Sequence, residues 1–220
     1  MELPTSRIAP ARRNPKLLTL FGQSKVGKTT TLSKLENCLI LDTEKGTDFV
    51  SAMKVQVNSL NELMSTMKAI RDSDHKYDYI ALDTLDNMVF WIEHAICAEN
   101  KVKQIGDIPF GGGYAQVRDR VITLIGRLKS LTPHLILIGH RKKTLIGSDS
   151  VEVNTSSLDL SGKLKNLVMA DSDAIGFVYR DEEGNLKVTF EASSEIEAGS
   201  RCEHLRGNVV DFEWKNIYID

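Results

Sequence analysis

The sequence is poor in cysteine, and the three it has are badly placed to bond with one another. Cys38, Cys97 and Cys202 are far apart, odd in number and outside any Cys-x-x-Cys pairing. That excludes a disulfide framework and a zinc knuckle, and three reduced thiols in or near a core are expected instead. An excess of one charge is also missing. With 28 Lys and Arg against 30 Asp and Glu the formal net charge is −2, so this is no polybasic chain, and any affinity for nucleic acid has to come from a local patch. No apolar run approaches the roughly 20 residues of a membrane span. The arginines near the N-terminus are not followed by the apolar segment of a secretory signal, and there is neither an internal repeat nor a low-complexity tract. What remains is a 220-residue chain, 41% hydrophobic and 26% charged, the composition of an ordinary soluble globular protein, expected in the cytoplasm and without membrane partners. A chain of this length buries roughly 70% of its unfolded surface, enough for one α/β core and an appendage.

Residues 1–15 hold three of the five prolines and three arginines and read as an extended arm before a single domain over 16–220. Lys16–Phe21 is a short apolar run ending at Gly22, the pattern of a buried strand, and helix-compatible residues follow from Lys28 to Glu36. Cys38–Leu41 is a second buried strand. Residues 59–71 carry apolar positions at helical spacing. Tyr77–Leu82 is a third strand, and Met88, Trp91, Ile92, Ala95 and Ile96 repeat the helical period, with Asp86 as the expected cap. Gly106–Gly113 is a loop, Tyr114–Leu131 a helix and His134–Gly139 a fourth buried strand. Residues 141–157 are polar and initially basic, a loop or ribbon. Ala174–Tyr179 and Leu186–Phe190 flank Glu183-Gly184-Asn185 as a hairpin. Continuously apolar strands alternating with helices imply an α/β fold, a mainly parallel sheet with helices on both faces and a C-terminal β-hairpin.

The most specific feature is Gly22-Gln23-Ser24-Lys25-Val26-Gly27-Lys28-Thr29-Thr30, a complete G-x-x-x-x-G-K-T pattern between an apolar strand and a helix. Its glycines let the loop wrap a β-phosphate, its backbone N–H groups form an anion nest, and the helix N-terminus adds partial positive charge. Lys28 would bridge the β- and γ-phosphates and the Thr29 hydroxyl would bind Mg²⁺. ATP and Mg²⁺ are therefore the expected ligands. Asp83 closes the third strand in the Walker B manner, leaving a carboxylate at its C-terminal edge for the cation. Glu44, after the second strand, could take a proton from an attacking water; a surface turn residue is the alternative reading of the same position.

Leu41-Asp-Thr-Glu44 resembles the Asp-Thr-Glu-Gly signature of RecA and RadA recombinases, and Asp83-Thr84 resembles their Walker B aspartate with its following hydroxyl residue. The chain more closely resembles the minimal RecA-core ATPases of phages, the phage nucleotide-binding proteins that include Sak-type single-strand annealing proteins. The P-loop with its internal Lys25, Leu158-Asp-Leu-Ser-Gly-Lys163-Leu, Ala170-Asp-Ser-Asp-Ala-Ile-Gly176 and Ser200-Arg201-Cys202 carry that similarity over approximately residues 16–215. It implies a RecA-like core in which Glu44 activates water and His140, directly after the fourth strand, senses the γ-phosphate where RecA has glutamine. It also implies a ring or filament with the nucleotide between subunits, completed by a neighbour's cation; Arg201 is the first candidate and Lys163 the second. The loop after His140 would line a channel for single-stranded DNA through Arg141, Lys142, Lys143, Lys163 and Lys165. Between 141 and 166 five basic side chains face three acidic ones, and few aromatics lie there, so contacts to the phosphate backbone should dominate over stacking. The implied function is a slow, DNA-stimulated ATPase serving phage recombination by annealing or strand exchange, in a host cytoplasm, with a single-strand DNA-binding protein as a further candidate partner. Two rivals share the P-loop: a nucleotide or small-molecule kinase, and an ATP-controlled assembly switch without DNA binding.

Overall fold

The computed structural model describes residues 3–146 and 153–219. The chain forms β1 (Leu17–Gly22), α1 (Lys28–Leu32), β2 (Cys38–Asp42), β3 (Met53–Gln56), α2 (Leu60–Asp72), β4 (Tyr79–Asp83), α3 (Leu85–Asn100), α4 (Gly112–Lys129), β5 (His134–Ile146), β6 (Val153–Leu158), α5 (Gly162–Asp171), β7 (Ala174–Arg180), β8 (Leu186–Thr189), β9 (Gly199–Ser200), β10 (Val209–Asp211) and α6 (Trp214–Ile217). The strands line up as β10-β8-β7-β1-β5-β4-β2-β3. From β7 to β3 every neighbouring pair is parallel, while β8 turns back along β7. The expected α/β fold with its mainly parallel sheet and C-terminal hairpin is therefore present, as a P-loop NTPase core.

Alternation along the buried strands builds two separate cores. Leu17, Phe21, Leu39, Leu41, Ile80, Leu82, Leu135, Leu137 and Phe177 face α2, α3, α4 and α5. Leu18, Leu20, Ile40, Ala81, Ile136, Ile138 and Val178 face the other way, toward Leu32 of α1, Ile217 of α6 and Phe212 just before α6. A strand buried on both faces has to be apolar throughout, which is why β1 and β2 read as unbroken runs.

Several expectations need correction. The first helix stops at Leu32, not Glu36: Lys34 and Leu35 turn tightly onto Thr31 and Leu32, Asn37 takes a left-handed φ of 49°, and the Trp214 indole donates to the Thr31 carbonyl at 2.7 Å. Asp86 does not cap α3. Thr84 stands at the N-cap, and the Asp86 carboxylate turns to His140 instead. The fourth strand runs on past Gly139 and, with β6, makes an antiparallel ribbon from Arg141↔Leu158 to Ile146↔Val153; residues 147–152 of the expected 141–157 segment lie outside the described residues. The fourth helix begins at Gly112, inside the expected glycine loop. β3 and α5 were not expected at all. Among the described residues no helix is long and apolar enough to cross a membrane.

Candidate nucleotide site

The order β1-β5-β4 places one strand between the P-loop strand and the Asp83 strand. Gly22 is level with His140, and Asp83 with Ile138, so the loop, the sensor position and the Walker B carboxylate end at one edge of the sheet. That edge is the C-terminal one, where ligands of such sheets bind.

The loop's shape comes from two residues of positive φ, Lys25 at 64° and Gly27 at 123°. Gly27 needs its lack of a side chain twice over, because a Cβ there would also meet Leu186 Cδ2 at 3.1 Å. Gln23, Ser24, Lys25 and Thr30 are exposed around the turn, while Val26 is half-buried. Lys28 is buried, and its Nζ donates to the carbonyls of Gly22 at 2.9 Å and Gln23 at 3.0 Å. Burial lowers its pKa, opposed by the negative charges of Asp83, Asp86 and Glu44.

The Thr29 hydroxyl donates to Asp83 Oδ2 at 2.6 Å. Asp83 is only 4% exposed, and burial raises its pKa despite this bond and Lys28, with the charges of Glu44 and Asp42 pushing the same way. A hydroxyl and a pressed, buried carboxylate side by side suit a hard divalent cation, whose charge would reverse that pressure. Thr29 and Asp83 are thus the residues that would hold Mg²⁺, which supplies positive charge to bound phosphates. Among the described residues no group of three or more His, Cys, Asp or Glu could hold a metal.

Glu44 is carried by a turn that Asp42 builds. The buried Asp42 accepts from the backbone N–H of Glu44 (2.9 Å), Gly46 (3.3 Å) and Thr47 (2.9 Å) and from the Thr47 hydroxyl. Burial alone would raise the Asp42 pKa, but these donors together lower it. The turn then lies against the P-loop, since a Cβ on Gly46 would sit 3.5 Å from Thr29 Oγ1. Glu44 Oε1 accepts from the Thr84 hydroxyl at 3.2 Å, and Oε2 is 3.7 Å from His140 Nε2. Thr43 ties the turn to β4, its hydroxyl accepting from the Thr84 N–H at 2.7 Å and from Asn87 at 3.0 Å.

His140 is gripped from behind. Asp86 Oδ2 accepts from the His140 backbone N–H at 3.2 Å and pairs with Nδ1 at 3.0 Å. That hydrogen bond raises the His140 pKa, against partial burial and with help from the charges of Asp86 and Glu44. An ionised carboxylate can only accept, so Nδ1 carries the proton and Nε2 is a donor only when the ring is cationic. Sequence reasoning missed Asp86, Thr43 and Asn87. The available signal was their place in the first turn of α3 or one residue before Glu44, at the same sheet edge.

Lys28, Thr29, Glu44, Asp83 and His140 therefore converge. The remaining candidates do not all join them. Arg141 bonds Ser156 Oγ through Nε at 2.9 Å and lies over the Phe177 ring at 5.1 Å. Lys142 is 3.7 Å from Asp159, and Lys143 is exposed on the ribbon. Lys163 is exposed on the first turn of α5, whereas Lys165 is held by Glu197 at 2.6 Å. Arg201 sits at the opposite end of the sheet, beside Ala174↔Ser200 at the start of β7, donating to the Ala170 carbonyl at 2.6 Å. It cannot reach the phosphate loop of its own chain.

A family model described as an AAA domain matches residues 14–202. The chain belongs to that family. It is an AAA-type P-loop NTPase, a nucleotide-binding ATPase domain, and such domains use ATP and typically Mg²⁺. A comparison with curated proteins found no match. For this AAA domain the match covers the P-loop, Glu44, Asp83, His140 and both strands of the described ribbon.

Proposed function

We propose that this AAA domain is a RecA-like ATPase that binds single-stranded DNA and couples hydrolysis to it, in phage recombination by annealing or strand exchange. The observation that carries the coupling is the continuity of β5. His140, beside the phosphate loop, and Arg141, the first residue of the basic ribbon, are consecutive on one uninterrupted strand. A shift of the strand at either residue is felt at the other.

In hydrolysis the backbone of Ser24–Thr29 and Lys28 hold the phosphates, and Glu44 takes the proton of the attacking water while the Thr84 hydroxyl orients its other oxygen. Cationic His140 donates through Nε2 toward the γ-phosphate. Charge developing on the transferred group calls for a further cation. Arg201 lies at the far end of its own chain, so it could serve only a neighbouring copy, in a ring or filament stacked head to tail. Arg141, Lys142, Lys143 and Lys163 are the DNA contacts of this reading, and Lys165 is the weakest of the set because Glu197 already neutralises it.

The test is steady-state ATP hydrolysis with and without a labelled oligonucleotide at low salt, with the oligonucleotide's mobility followed in parallel. Stimulation together with an ATP-dependent shift is expected. Hydrolysis indifferent to DNA and no shift would refute the DNA half of the proposal and leave the ATPase standing.

A further inference from the structure

A second cationic cavity of about 380 Å³ opens beside the P-loop, where β1 stops at Gly22 while β5 and β7 continue. Three elements each send a cation to its wall: Lys25 from the loop, Arg141 from the ribbon and Arg180 from the end of β7. Among the described residues no acidic one lines it, and neither do Lys28, Thr29, Glu44, Asp83 or His140. It adjoins the nucleotide site at the same sheet edge, sharing Gln23–Val26 of the phosphate loop but none of those five side chains.

The three cations are held apart from one another by contacts that leave donors over. The Arg141 guanidinium is fixed on the Phe177 ring and by Nε to Ser156. Arg180 is fixed by Nη1 to the Gly184 carbonyl at 2.7 Å, and its Nη2 is 3.6 Å from where a Gly27 Cβ would be. Among the described residues no ion pair involves Lys25, Arg141 or Arg180. In a chain of net charge −2, three cations without an ion pair among the described residues give this one cavity a local positive potential suited to an anion.

We infer that this cavity is a phosphodiester site, in which Lys25, Arg141 and Arg180 hold one backbone phosphate of the bound single strand against the outside of the P-loop. The inference rests on the DNA-binding reading above and sharpens it. Arg180 becomes a contact that the sequence pattern did not suggest, and Lys25 acquires a role outside the nucleotide nest. Arg141 turns from the open ribbon to its root. A phosphate there touches the loop that holds ATP from its other side, so strand and nucleotide share one loop.

The experiment measures binding of fluorescein-labelled oligo-dT to the full chain between about 50 and 200 mM salt, for wild type, Arg180→Ala and Arg180→Lys, with the affinity for a fluorescent ATP analogue and the sedimentation size alongside. Arg180→Ala should weaken DNA binding and make the slope of log affinity on log salt shallower by about 0.7, one phosphate contact on a single strand. Arg180→Lys should keep most of the slope, and the ATP analogue should bind all three proteins alike. An unchanged slope in Arg180→Ala, with wild type binding normally, overturns the cavity assignment and leaves the DNA reading intact. No binding by wild type sinks both. Loss of ATP-analogue affinity would make the cavity part of the nucleotide site, and a smaller assembly with unchanged DNA slope would make it a seat for a neighbour's carboxylate; either result overturns the inference.

Discussion

Replacing Asp86 by Asn should change how this site tells ATP from ADP, and only within a window of pH. The two side chains have the same shape, and an Asn oxygen can still accept from the His140 backbone and ring, so the perturbation is the removal of one charge. In the wild type that carboxylate lies 3.0 Å from Nδ1, with ring and carboxylate 27% and 23% exposed, and its hydrogen bond raises the His140 pKa above 6.5. Because Nδ1 is committed to Asp86, only the imidazolium can offer Nε2–H to a γ-phosphate. A charge-assisted hydrogen bond is worth about 1.5–3 kcal/mol, and for this quarter-exposed ring the lower figure applies, about a tenfold preference for triphosphate over diphosphate. The assay is the ratio of dissociation constants for ADP and a non-hydrolysable ATP analogue against pH. Well below 6.5 both proteins should show the preference, and at high pH neither. Between 6.5 and the raised wild-type value the wild type should keep it while Asp86→Asn loses it. His140→Gln, a neutral donor, should give a flat profile. A ratio independent of pH in the wild type, or an Asp86→Asn profile superimposed on it, refutes the reasoning. The same pair acts on folding: with the folded pKa raised, its contribution is full below 6.5 and fades as pH rises through the raised value.

Two further outcomes follow from packing alone. Gly22→Ala should cost about 1–3 kcal/mol and lower the Tm by roughly 2–12 °C, because a Cβ there would lie 2.4 Å from the Val178 backbone oxygen; a thermal melt superimposed on wild type would contradict this. Burial pushes the Cys38 thiol up to about 12 and leaves it 3% exposed, so iodoacetamide at about pH 8 should alkylate Cys38 in the folded protein only as fast as the chain opens. Peptide mapping that finds it labelled as fast as in urea would contradict that packing.

The positions of the phosphate loop, Asp83, Glu44 and His140 were legible in the sequence for one physical reason, while the roles of Glu44 and His140 came from the resemblance to RecA-like proteins. Each follows a strand buried on both faces, and an unbroken apolar run ending in a polar residue marks the edge of such a sheet. β3 was illegible because all four of its side chains are exposed at the sheet's end, so it carries no apolar period. α5 buries only Leu164 and Val168, too few to fix a helical spacing. Asp86 was misread because an acidic residue at a helix start is equally suited to capping, and only the neighbouring β5 decides which it does. Arg180 was hidden because its importance depends on β7 outrunning β1 by two residues, a matter of register rather than composition. The depth of the sheet order was also out of reach: nothing local says that β5 inserts between β1 and β4.

The central claim is that Glu44 activates water at a P-loop ATPase site. Its most direct test is phosphate release by Glu44→Gln measured beside ATP affinity. Gln keeps the Thr84 contact and the shape of the turn, so the nucleotide should bind as in wild type while release falls by about 10²–10⁴, the range of a lost general base. ATP bound normally and hydrolysed at an undiminished rate would contradict the account.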